Sequence, residues 1–240
     1  MTAPDRRVSL PPMARNFWQG ALRIEGETAW WSGTIGDAIP HRHFAAQAVF
    51  ADSPVRAIGS DGREISGTCL LIEPNARHQL LPSAGADICF VEPTAGFGPP
   101  DRLRDRIEAG RFQIVPGAAT RPFWQDWVMR APRRSIDTRI SDVIATIERR
   151  LPLGTVRLFD VAAGTRLSVG RLRHLFASEI GMPFQRYILW RRLSAAFEEL
   201  LAGSNITEAA HAAGFADAAH FARTIKAMFG VRASDILLER

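Results

Sequence analysis

The chain has 240 residues, 46% hydrophobic and 23% charged, with 30 Lys and Arg against 25 Asp and Glu. That length buries one large core or two modest ones, and with only Cys69 and Cys89 present a disulfide-built scaffold is excluded. No run approaches the apolar length of a membrane-spanning helix and the first residues lack the apolar stretch of a secretory signal, so a cytoplasmic location is expected. The charge is uneven: residues 1–100 are net −2, residues 101–134 net +4 and residues 135–240 net +3. Only Lys226 is a lysine, so the basic part offers almost entirely the planar forks of arginine, which suit phosphates and guanine edges.

From Gln19 to Glu92 the runs are short and rich in β-branched and aromatic residues. Ala21–Ile24, Thr28–Ser32, Gln47–Phe50, Arg56–Ile58, Thr68–Ile72, Gln79–Leu81 and Ile88–Val91 alternate with Gly, Asn, Asp and Ser turn signals. This pattern predicts an antiparallel barrel or jelly roll over residues 1–98, with both cysteines as buried, inert thiols. Phe17, Trp18, Trp30, Trp31 and Phe44 are expected to be core first and pocket walls second. Phe97-Gly-Pro-Pro ends the pattern, and residues 99–134 read as a connector with a candidate dimerisation surface.

Past Ser135 the period becomes helical: Ile136, Ile140, Val143, Ile144, Ile147 and Leu151 form one apolar stripe. Gly- and Pro-containing breaks then divide residues 135–240 into about seven helices. Val161–Phe176 and Ala209–Ile225 share a layout of small-residue helix, tight turn and N-capped second helix, with Ser168 and Asp217 as the caps. On the first second helix, Leu172, Leu175 and Phe176 take the buried face; Gly170, Arg173, His174 and Ala177 take the opposite one, with Arg171 at its margin. The second copy opens on Asn205-Ile-Thr-Glu208, a capping-box spacing, and turns Ala219, Ala222, Arg223 and Lys226 outward. Tyr187–Leu201 is a long amphipathic helix between them.

Leu167-Ser168, Leu172, Phe176, Gly181-Met-Pro183, Tyr187, Arg192-Leu193, Ala196, Ile206, Ala210, Gly214-Phe215, Asp217, Phe221 and Gly230 together make residues 136–238 resemble the DNA-binding domain of AraC/XylS-type transcriptional regulators. The resemblance implies two helix-turn-helix units. Ser168, Gly170, Arg171, Arg173 and His174 would meet DNA from the first, and Ala219, His220, Arg223 and Lys226 from the second. Arg166 stands where the family has Gly, His174 where it has Arg, Ile225 where it has Phe and Ala233 where it has Pro; these put the turn, the preferred base and the core at issue.

In the N-terminal half, His41-Arg-His43 sets two imidazoles on one strand face with Gln47 at the same parity, and Glu73-Pro-Asn-Ala-Arg-His78 adds a third after a turn. Asn75 sits where that turn wants a residue tolerant of positive φ. The set resembles the motifs of cupins, the usual sensor barrels of AraC-type proteins. His41, His43, Gln47 and His78 are expected to bind an organic effector. No metal or other cofactor is expected, because Gln47 brings no charge to hold a divalent ion. The chain is thus expected to be a non-enzymatic transcriptional regulator in two parts, cupin-like and all-α. Double-stranded DNA and a small-molecule effector are its expected partners, with RNA polymerase and a second copy of the chain as further candidates. The rival is a metal-dependent cupin enzyme, an oxygenase or isomerase, with a helical appendage.

Overall fold

The computed structural model describes residues 16–25, 28–92, 114–116 and 135–239; apart from 114–116, the connector and its candidate dimerisation surface lie outside them. The chain folds into a β-sheet region followed by a helical region. The seven strand-like runs lie in strands, save Leu81, which falls just past β5: β1 (Trp18–Glu25), β2 (Thr28–Ile35), β3 (Ala46–Gly59), β4 (Glu64–Ile72), β5 (His78–Leu80) and β6 (Ser83–Val91). Two short strands join them, β7 (Ile114–Pro116) on β4 and β8 (Ile236–Leu238) on β1.

Two of the seven runs merge. Gln47–Phe50 and Arg56–Ile58 are both in β3, because residues 51–54 form an irregularity in its pairing with β4 rather than a turn. The first half of β3 pairs with β6 and the second with β5, so one strand serves both ends of the sheet. The hydrogen-bonded order is β7-β4-β3-β6-β2-β1-β8, with β5 on β3. Among the described residues this sheet is open, not the closed barrel that the alternation suggested: its two outer members, β7 and β8, are three-residue strands on opposite edges.

The helical region has α1 (Thr138–Arg150), α2 (Leu158–Ala162), α3 (Val169–Ile180), α4 (Phe184–Leu201), α5 (Ile206–Ala212) and α6 (Ala218–Phe229). These six α-helices replace the expected seven. Gly230 ends α6 in the left-handed region, and the chain then makes one 3-10 turn and extends as β8 instead of starting another helix.

Among the described residues, three apolar clusters hold the regions together. Val49, Leu70, Ile72, Leu80 and Ile88 fill the sheet and are joined by Val231 from beyond α6. The predicted stripe of α1 buries Ile140, Val143, Ile147 and Leu151 against Phe176 and Tyr187, with Ile136 and Ile144 packed alongside. Trp190, Leu193, Phe215, Phe221 and Ile225 form the third, which also takes in Ala45 from the sheet region. At about 25 cal/mol per Å² of apolar area removed from water, such shared clusters bind the two regions to each other as well as each to itself. Cys69 and Cys89 are free and buried, and burial, with Glu25 nearby, pushes the Cys89 thiol up to about 12.

Candidate functional site

The first helix-turn-helix is α2, a turn and α3. Thr165 closes the turn, donating its hydroxyl to the Ala162 carbonyl at 2.9 Å and accepting from the Leu167 N–H at 3.2 Å, while Arg166 points to solvent. Ser168 is extended, and its hydroxyl accepts the Arg171 N–H at 3.3 Å, the N-cap that its place in the sequence requires. Leu172, Phe176 and Ile180 are sealed beneath α3, which leaves Gly170, Arg171, Arg173 and His174 exposed.

The second unit is α5, a turn and α6. Asn205 accepts from the N–H groups of Thr207 and Glu208, and the Glu208 carboxylate accepts from the Asn205 N–H at 3.0 Å, completing the capping box. Gly214 takes φ 76° at the turn, and Asp217 caps α6 through the His220 N–H. Ala219, Arg223 and Lys226 are exposed, and Ala222 is half-buried. His220 differs from its companions: its ring packs edge-on against Phe215 at 5.2 Å, so only part of it faces solvent. Ile225, in place of the larger Phe, is 1% exposed in a closed core.

The four effector candidates meet in the sheet region. His41 and His78 face each other through reciprocal backbone hydrogen bonds of 2.9 Å. Asn75 is, among the described residues, the one non-glycine with positive φ (62°), and its N–H reaches the His43 carbonyl at 2.7 Å. That turn brings His78 to His43, with ring centres 5.2 Å apart, and His41 lies 4.3 Å from His78. Gln47 Oε1 stands 3.0 Å from His43 Nε2. All four side chains are buried. Burial holds the His41 imidazole down at about 3, helped by His43, and His43 at about 4; it pushes His78 well below its ordinary value. At neutral pH the three rings are uncharged, and the arrangement offers imidazole nitrogens rather than positive charge.

His41 and Gln47 also line a cavity of about 120 Å³ between the sheet and the helices. Its walls are Trp18, Leu22, Trp31 and Phe90 on one side and Trp190, Leu193, Phe197 and Phe229 on the other, with Thr28, Glu92 and Ser194 as further polar members. Trp18 and Trp31 are therefore walls as well as core. Their indole N–H groups are satisfied elsewhere, on the carbonyls of Asp37 and Thr34 at 3.2 Å each. Phe17, 42% exposed, is neither buried core nor among the wall residues.

Sequence reasoning missed the polar bridge beside this cavity. Arg191 on α4 pairs with Glu92 at the end of β6 at 3.3 Å and with Glu148 on α1 at 2.9 Å, and the Trp190 indole donates to Glu92 at 3.2 Å. No local spacing announces a bridge between residues about a hundred positions apart.

The family described as a helix-turn-helix domain matches residues 161–238. The transcriptional activator RhrA of Rhizobium meliloti (strain 1021) is 34% identical over 109 residues, which are 44% of this chain and 34% of RhrA, so the chain spans about a third of that relative's length. ToxT from Vibrio cholerae superposes with a TM-score of 0.55 at 12% identity over 87% of this chain and 97% of ToxT. A second ToxT structure, bound to (E)-4-(8-methylnaphthalen-1-yl)but-3-enoic acid, gives 0.54 at 12% identity over the same shares. At that identity ToxT speaks for the fold, a sheet region joined to a helical one, while the sequence match falls on the two capped helix pairs. Residues 161–238 thus carry a helix-turn-helix domain, and this part of the chain is similar to AraC/XylS-type regulators.

Proposed function

We propose that the protein is a sequence-specific DNA-binding transcriptional regulator that answers to a small apolar effector. The observation that carries this is the pair of capped helices, α3 and α6, each sealed below and exposed above. On DNA the two would enter successive major-groove segments roughly 34 Å apart. Arg173 and His174, with Arg171 beside them, read base edges from α3, while Gly170 lets the backbone come close and Ser168 holds the helix start. Ala219, Arg223 and Lys226 serve α6 mainly through phosphates and thymine methyls, with His220 a lesser contact. Residues 1–98 act as the sensor, 99–134 as the connector and 135–240 as the DNA-binding part, working in the cytoplasm and without catalysis.

The effector's place is the cavity between sheet and helices. Its walls are aromatic and aliphatic, and their charged member, Glu92, is already bound to Arg191. An uncharged apolar molecule suits these walls better than the carboxylic acid bound by ToxT, because a carboxylate there would be desolvated beside Glu92. Hydrogen bonds from His41, Gln47, Thr28 or Ser194 would orient it. Displacing Glu92 would pull on Arg191 and so on α1 and α4, the helices that carry the first unit.

Selection of genomic fragments with the purified full-length chain tests the DNA reading: enrichment of one motif with two half-sites supports it, and uniform recovery at moderate salt refutes it. Thermal-shift screening of uncharged apolar compounds against fatty carboxylates tests the cavity, with stabilisation by the first group expected.

A further inference from the structure

We propose that Arg192, midway along α4, holds the two helix-turn-helix units at one fixed separation and thereby sets the spacing of the two DNA half-sites. The DNA consequence rests on the regulator reading; the fixed separation does not. The rod between the units is α4. Its first half, through Phe184, Tyr187 and Ile188, packs with Phe176 of α3, and its second half, through Leu193 and Ala196, packs with Phe215 and Phe221 of the second unit. Both contacts are apolar, and apolar burial is non-directional. The second contact is also smooth, because Ala196, Ala210 and Ala213, each at most 3% exposed, make up much of it. A twist or slide of the second unit along α4 is therefore weakly opposed by packing alone.

Arg192 stands where the two halves of α4 meet, and it touches both units. Its Nη2 donates to the Gly154 carbonyl, in the loop that leads into α2, at 3.2 Å. On the other side lies Gly214, the turn of the second unit. A β-carbon at Gly214 would stand 3.4 Å from Arg192 Nε and 3.6 Å from both Cζ and Nη2. Three atoms of the fork at nearly one distance put its flat face over the Gly214 α-carbon. That turn is itself firmly tied: the N–H groups of Gly214 and Phe215 donate to the carbonyls of His211 and Ala210, each at 2.9 Å.

The placement has a cost for the side chain. Among the described residues Arg192 Nε is buried without a hydrogen-bond partner, and burial moves the guanidinium below its ordinary value. A cation that served only solubility would turn that nitrogen to water. What the buried fork supplies is direction: it bonds along one edge and packs on one face, fixing distance and angle together, as a lysine ammonium on its flexible stem does not. On DNA, a step of one base pair is about 3.4 Å of rise and about 35° of rotation. Little slack between α3 and α6 is then enough to admit a neighbouring spacing, and Arg192 removes that slack.

In the full-length chain, Ser178→Cys on α3 and Ala227→Cys on α6 offer exposed positions for spin labels, while Cys69 and Cys89 are buried and stay unlabelled. Pulsed dipolar spectroscopy without DNA should give one narrow distance between the labels. Arg192→Met, which keeps the apolar stem and loses the fork, should roughly double its width, and Arg192→Lys should narrow it part of the way back. A broad distribution with Arg192 intact, a readout that needs no substitution at Arg192 to fold, overturns the proposal; so does an unchanged distribution in folded Arg192→Met. On DNA, the half-sites selected by the unsubstituted chain are then offered at spacings stepped by one base pair. Preference for one spacing, at least about tenfold with Arg192, should fall to about twofold in Arg192→Met, with base preference inside each half-site kept. Binding weakened equally at every spacing would make Arg192 merely structural and overturn the spacing claim. If the unsubstituted chain selects no two-part motif, the regulator reading fails and the spacing claim with it, whereas the dipolar distances still decide the fixed separation.

Discussion

The helices α3 and α6 occupy equivalent places in their two units and are built from different materials. Residues 157–194, around α3, hold seven Arg against Asp160 and Glu179; residues 195–240, around α6, are net −2. The exposed face of α3 carries Arg171, Arg173 and His174, whereas α6 starts with Ala219 and reaches Arg223 and Lys226 only further along. Their far ends differ as well. Gly181 closes α3 and hands the chain to Pro183 and α4, while Gly230 closes α6 directly against Ile39 and His41. Duplication of a motif thus need not duplicate its job: under the proposed function α3 would discriminate bases, while α6 ends against the sheet region.

The largest effect should come from the glycines that end the two helices. A side chain at Gly230 (φ 70°) meets the Ile39 carbonyl at 2.3 Å as well as His41, so Gly230→Val should cost about 3 kcal/mol or more in denaturant unfolding. Gly181→Ala, with a similar φ of 78°, should cost only about 1 kcal/mol. Equal costs would erase the asymmetry between the helix ends. Next, Arg173→Ala should lose about 1–3 kcal/mol of operator binding and relax preference at one or two base pairs in a competition over randomised half-sites. If base preference survives that change but shifts on Arg223→Ala or His220→Ala, the reading helix is α6. Arg191→Ala leaves Glu92 and Glu148 without their shared cation in a partly exposed setting, and about 1–2 kcal/mol of stability should go with it. The smallest effect belongs to Lys226→Ala, expected to weaken all sequences alike and lower the salt slope of binding by about one.

Features governed by near neighbours were legible in the sequence. The Ser168 cap, the Asn205–Glu208 box, the apolar stripe of α1 and the positive φ of Asn75 each depend on a few adjacent residues, and each is present. The convergence of His41, His43, Gln47 and His78 was expected from strand alternation, but it arises otherwise: His41 is an isolated bridge to His78, and His43 lies in the loop before β3. What stayed hidden depends on distant partners. The break in β3 is a bulge because β4, β5 and β6 all pair with the same strand, and alternation cannot tell that from a turn. The Arg191 bridge and the seat of Gly230 on His41 join regions that sequence reading treated as separate domains. The tautomer of each histidine is set by a backbone carbonyl at Ile39, Ala45 or Ala76, which no residue type reveals.

The parallel pairing of β8 with β1 puts a constraint on the order of assembly. Gln19 and Glu239, joined by a side-chain hydrogen bond of 3.4 Å, are 220 positions apart. Closing so long a loop adds little to the equilibrium cost, since each doubling of length adds only about 0.6 kcal/mol, but contacts this distant slow folding. During synthesis, β1 and β2 can pair as a hairpin long before Ile236 emerges from the ribosome, and until then one edge of β1 shows unpaired backbone groups to any passing strand. Strand β8 therefore covers an edge that β1 leaves open for more than two hundred positions of synthesis, and a nascent chain stalled before β8 exposes that edge to aggregation.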